Sequence, residues 1–64
     1  MTIPHSPLLN RVDSAAYIGL AVGTLDRWRT EGRGPSYVKI GGAVRYRLAV
    51  LDDYLDAHTV AQNG

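Results

Sequence analysis

The sequence predicts a small α+β domain in the order helix, helix, two-stranded hairpin, helix, and three observations lead there. Small and apolar residues fill two short blocks at helical spacing, 10–18 and 22–31, separated by a joint that contains Gly19. Two alternating stretches, Tyr37 to Ile40 and Val44 to Arg47, flank Gly41, Gly42 and Ala43 as a hairpin would. A last block from Leu48 to His58 returns to helical spacing. At 64 residues the chain makes one domain, and a domain of that size buries only about 60% of its unfolded surface, so its core is thin.

Residues 1–7 hold two prolines and no periodicity, and they are expected to form a flexible arm. In the first helix Val12, Ala15, Ala16 and Ile18 supply the apolar positions, with Asn10 as N-cap and Asp13 at the third position as a variant capping box; a start capped by Asp13 itself gives a shorter helix. Gly19 stops it. After Leu20 and Ala21, Val22, Leu25, Trp28 and Arg29 share one face of a second helix, while Thr24, Arg27 and Glu31 form another. Ala21 stands where a Ser or Asp cap would add about 1 kcal/mol. Two short helices joined by three or four residues with a glycine at the joint have the form of a helix-turn-helix, the plainer alternative being any small helical hairpin.

Gly32 and Pro35 end the second helix. A two-residue hairpin loop at Gly41 and Gly42 pairs Val38 with Arg45 and Lys39 with Val44, mixing the faces. A three-residue loop through Ala43 pairs Ile40 with Val44 and Val38 with Tyr46, which gives one apolar face and is the register the pattern favours. That register also sets Lys39 opposite Arg45, a repulsion that a phosphate would relieve. In the closing helix Leu51, Tyr54, Leu55 and His58 recur at i, i+3, i+4 and i+7, with Asp52 and Asp53 expected in its first turn. Residues 59–64 are polar and small and are expected to be a disordered tail, so the folded domain spans 8–58.

The charge is sorted along the chain. Between Arg27 and Arg47 lie six basic residues against one acidic residue, giving +5, while the rest carries −4. Such sorting in a short chain presents a basic surface to a polyanion, with nucleic acid the first partner to test. Enzyme readings fail on inventory: His5 and His58 have no ligand-spaced partners, no cysteine occurs, Ser6, Ser14 and Ser36 lack a nucleophile setting, and the glycines at 32, 34, 41 and 42 lack a following Lys-Ser or Lys-Thr. No metal or cofactor is expected. Neither a signal peptide nor an apolar run of membrane-crossing length is visible, so the expected location is the cytoplasm.

The run Asp13-Ser14-Ala15-Ala16-Tyr17-Ile18-Gly19, the segment Thr24-Leu25-Asp26-Arg27-Trp28-Arg29-Thr30-Glu31-Gly32, then Gly34-Pro35, Tyr37-Val38-Lys39-Ile40-Gly41-Gly42, Val44-Arg45-Tyr46 and Leu51-Asp52-Asp53-Tyr54-Leu55 together resemble the phage excisionase family over about residues 8 to 57. That family shares a winged helix-turn-helix with mercury-resistance-type regulators, and it usually has Ser-Pro near Ala21 and Val22 and often a basic residue at Ala43. The resemblance implies an architectural protein. Such a protein binds repeated sites in double-stranded DNA beside copies of itself, bends the DNA, and directs the phage integrase toward excision. Relatives of the same fold regulate transcription. An adaptor that docks Asp52, Asp53 and Asp56 on a basic partner is a further alternative.

On that fold the second helix is the sequence reader, with Thr24 and Arg27 first and Thr30 after them; Arg29 belongs to the same DNA-binding set, nearer the buried face, where it either contacts a phosphate or lays its stem over Trp28. The arginine fork of Arg27 matches the two acceptors of guanine, in competition with an i, i+4 pair to Glu31. Arg33, Lys39, Arg45 and Arg47, with Gly42 at the wing tip, are expected on phosphates or in the minor groove. Trp28, Tyr46 and Tyr54 fall on apolar faces and are expected in the core rather than stacked on bases.

Overall fold

A computed structural model describes residues 7–61. The order is β1 (Leu8–Leu9), α1 (Arg11–Ile18), α2 (Val22–Thr30), β2 (Val38–Ile40), β3 (Ala43–Arg47) and α3 (Leu48–Ala57). The three strands form an antiparallel sheet in the order β1-β3-β2. The α+β class and the helix, helix, wing, helix order hold, with one added strand. Of the expected arm only Pro7 is among the described residues, and its carbonyl accepts from the Leu48 amide at 2.9 Å. Of the expected tail, 62–64 lie outside them.

Local chemistry sets the helix ends. The Asn10 side chain accepts from the Asp13 amide at 2.7 Å, which makes Asn10 the N-cap of α1. Gly19 then takes a left-handed φ of 79° and lets Leu20 N donate to Ala15 O, closing the helix. Ala21 precedes α2 with no side-chain cap. The far end of α2 is tied by Arg33 N to Trp28 O at 2.8 Å and Gly32 N to Arg29 O at 3.2 Å, a Schellman pair that needs the positive φ of Gly32.

The core is small and draws on every layer. Ala15 of α1, Leu25 of α2, Tyr46 of β3 and Leu51 of α3 are buried together, with Leu9, Ile18, Val22 and Val44 packed around them. Ser14 is buried beside them with its hydroxyl 3.4 Å from the Leu9 carbonyl. Trp28 and Tyr54 are half-buried, their rings 6.5 Å apart, so they cover the core's edge rather than filling it. Leu55 and His58, expected on the apolar face of α3, are exposed, with the His58 ring 4.2 Å from that of Tyr54.

Three expectations are corrected. The hairpin uses the two-residue loop, pairing Val38 with Arg45, Lys39 with Val44 and Ile40 with Ala43. Gly41 has φ 59° and Gly42 has no positive φ, as a type II′ turn asks, and this turn chemistry outweighed alternation because the wing's outer end has no core to face. Lys39 therefore does not oppose Arg45; in this register the two lie on opposite faces of the hairpin. Asp52 and Asp53 lie in the second turn of α3, since the helix starts at Leu48. Leu8 and Leu9, left without a structure by the pattern, pair with Arg47 and Tyr46 of β3. Two residues are too few to show a period.

Candidate nucleic-acid interface

The outward face of α2 is a stripe made by Gly23, Arg27 and Thr30, all exposed and at i, i+4 and i+7, with Thr24 half-buried beside it. Arg27 is the longest side chain on it, 60% exposed, and its Nε is 4.0 Å from Glu31 Oε2. That separation is too long for a hydrogen bond. The carboxylate is instead committed to Arg33, whose Nε donates to Glu31 Oε1 at 2.9 Å. The Thr30 hydroxyl turns back to donate to the Asp26 carbonyl at 3.1 Å. Arg27 is thus the most available cation on the stripe.

Beside α2 three arginines converge. Arg11 from the start of α1, Arg29 from α2 and Arg45 from β3 line one groove of about 390 Å³, together with Asn10, Gly42 and Val44. Asp26 organises two of them. Its carboxylate accepts from Arg29 Nη1 at 2.8 Å and from Arg11, bridging α1 and α2. The Arg29 hydrogen bond, helped by the charge of Arg11, holds the Asp26 carboxyl below the ordinary aspartate value, and the same bond raises Arg29 above the ordinary arginine value. Arg29 lies over the Tyr37 ring at 5.8 Å, not over Trp28. It also interacts electrostatically with Tyr46, whose buried hydroxyl has no hydrogen-bond partner among the described residues. With its side chain only 20% exposed, Arg29 is part of the groove's floor.

The remaining cations spread around this centre. Arg33 sits at the end of α2 with its guanidinium 5.2 Å from the Trp28 ring. Arg45 is half-buried and donates to the Val44 carbonyl at 2.9 Å. Lys39 and Gly42 are exposed near the tip of the hairpin, and Arg47 is exposed at the junction of β3 and α3, opposite Leu8. The acidic end of the chain is held in place by Tyr17 of α1, whose hydroxyl donates to Asp52 on α3 and is raised in pKa mainly by that bond.

Sequence reasoning missed Arg11 and Asp26. Asp26 stands three residues before Arg29 on one helix, a spacing that signals an ion pair. The reach of Arg11 across 15 positions has no local signal.

A two-helix unit with a tight turn, an exposed second helix and a hairpin beside it define a winged helix-turn-helix DNA-binding domain. The chain belongs to the helix-turn-helix domain family, whose model matches residues 8–59. Its partner is DNA, bound sequence-specifically in the manner of that family. Comparison with curated proteins gives no significant match. Among the described residues no helix is long and apolar enough to cross a membrane.

Proposed function

We propose that the protein is an architectural DNA-binding protein of the phage excisionase type, acting on attachment-site DNA to direct an integrase toward excision. The observation that carries the DNA-reading part is the exposed α2 stripe with Arg27 held only loosely by Glu31, set beside the groove of Arg11, Arg29 and Arg45. In this reading α2 enters the major groove. Arg27 reads guanine through its two acceptors, while Thr24 and Thr30 contact the edges beside it. Arg33, Lys39, Gly42, Arg45 and Arg47 follow the phosphates, fixing position more than sequence. Arg29 supports the reader from the groove floor, bound to Asp26. Residues 8–58 are the working unit, with the arm and tail outside it.

One reading helix covers few base pairs, and single modules bury only about 600 to 1,000 Å², so selectivity requires neighbours. The exposed carboxylates of Asp53 and Asp56 on α3 are opposite in sign to the Arg27–Arg47 segment. That favours copies lined up head to tail on direct repeats, a geometry that bends DNA. The test is footprinting and phasing on attachment-region and promoter DNA, followed by recombination with integrase with and without the protein. Direct repeats, a bend and more excision are expected. An isolated palindromic promoter site with no bend and no effect on excision would instead assign a transcription regulator.

A further inference from the structure

We infer that Gly23 is a specificity determinant of α2: the bare backbone at this position receives the 5-methyl group of a thymine, which a side chain there would displace. The inference rests on the DNA-binding reading and gives a discriminating role to a residue with no side chain of its own. Gly23 is the second residue of α2 and stands one turn before Arg27 on the exposed stripe. Inside a helix glycine is less favourable than alanine, because it gives up more backbone freedom on folding. At Gly32 and Gly34 the fold supplies a reason, since both take positive φ and a Cβ on Gly34 would press on Trp28. Gly23 has neither reason. Its φ is not positive, and a Cβ built on it would meet nothing within 4 Å. The fold does not require glycine here, so what the missing side chain serves lies outside the chain.

The surroundings of Gly23 say what fits there. No side chain caps α2, and the amides of Thr24 and Leu25 both turn inward to the Ala21 carbonyl, at 3.0 and 3.1 Å. The exposed surface of the first turn is therefore backbone, bordered by the methyl group of Ala21 and by the half-buried branched side chains of Val22 and Thr24. A helix that enters the major groove brings its N-terminal residues to the base edges. Among the groups presented there the thymine 5-methyl is the apolar one, and it is read by contact rather than by hydrogen bonds. A shallow gap with apolar borders accepts that methyl group, while Arg27 one turn further along pairs with guanine. Space and hydrogen bonds then read neighbouring parts of one site.

The experiment takes the tightest duplex that the wild-type chain draws from a randomised pool and prepares it with thymine or with uracil throughout. Uracil lacks the methyl group and keeps every hydrogen-bonding atom. Affinity is measured by fluorescence anisotropy with the full chain. The wild type is expected to favour the thymine duplex about fourfold, the ratio that burying one methyl group supplies. In Gly23→Ala the new methyl group takes the same space, so this variant should lose about tenfold on the thymine duplex and bind the uracil duplex about as well as the wild type does. The preference is thereby reversed. Gly23→Ser, which adds a side chain of similar size, should reverse it too, whereas Lys39→Ala should weaken both duplexes alike. Circular dichroism melting should find Gly23→Ala at least as stable as the wild type, which separates lost reading from lost folding. Equal wild-type affinity for the two duplexes, or a thymine preference kept in Gly23→Ala, would overturn the assignment. A wild type that draws no duplex from the pool would overturn the DNA-binding reading itself, and this one with it.

Discussion

Replacing Asp26 by Asn separates what holds this domain together from what it offers to DNA. The carboxylate joins Arg29 at 2.8 Å and also Arg11, so the substitution removes the negative partner of two arginines on two helices. The Arg29 pair is the better sheltered, with side chains 20% and 28% exposed, and is worth about 1 kcal/mol; the Arg11 pair is more open and adds a few tenths at most. For a domain of this size about 1 kcal/mol corresponds to a fall of about 4–8 °C in melting temperature. The pH dependence has a definite sign. Because the folded Asp26 carboxyl is depressed, its contribution is fully present above the ordinary aspartate value, is lost as pH falls through the folded value, and leaves wild type and variant alike in strong acid. DNA binding should move the other way. With its carboxylate gone, Arg11 is available to a phosphate, so affinity for random duplex should rise at low salt and the slope of log K against log salt should steepen by about 0.9. The assays are circular dichroism melting from neutral to acid pH and anisotropy titrations over a salt series. An unchanged melting temperature at neutral pH would refute the bridge, and weaker duplex binding would refute the claim that Asp26 masks a cation.

Arg27→Ala is expected to cost about 1 to 3 kcal/mol on the specific site and little on random duplex, measured by paired titrations, and equal losses on both would remove Arg27 from the reading face. Lys39→Ala should weaken binding to every duplex and reduce the salt slope by about 0.9. Since Lys39 lies opposite Val44, its removal should leave the melting temperature unchanged, and a rise would point to the like-charge register that the structure does not show. Gly34→Ala should destabilise by about 1–3 kcal/mol, because Gly34 has φ +88° and an added Cβ would lie 3.3 Å from Trp28 Cβ and Cε3. Thermal melts followed by tryptophan fluorescence check this, and wild-type stability would contradict it.

The readable parts of the fold were those governed by local chemistry. Asn10 caps α1 because its short side chain reaches the Asp13 amide, and Gly19 and Gly32 end helices because they take positive φ; both are sequence-local events. The wing register was misread for a physical reason. Alternation predicts pairing only where one face is buried, and Lys39 and Ile40 are both exposed, so the Gly41-Gly42 turn alone decided. In the site, the Arg27 stripe followed from helical spacing. The Asp26 bridge to Arg11 and the placement of Arg29 over Tyr37 depend on how α1, α2 and the wing pack, which no local pattern encodes.

Packing and charge together also limit what a single copy can do. The orientation of α2 relative to the wing is fixed by a buried set with one residue each from α1, α2, β3 and α3, so the reading helix and the hairpin cannot be adjusted independently. Of the seven basic residues, Arg11 and Arg29 are bound to Asp26 and Arg33 to Glu31. Arg27 is held only loosely, and Lys39, Arg45 and Arg47 have no acidic partner among the described residues. Few phosphates are then neutralised per copy, and since each contributes about 0.9 to the salt slope, binding by one copy is expected to be weak, with a shallow dependence on salt. Internal pairing therefore favours discrimination over raw affinity. Arg27, the proposed reader, stays available while three of the other six cations are already engaged, so on the proposed function tight occupancy of a site would come from several copies side by side on the same DNA.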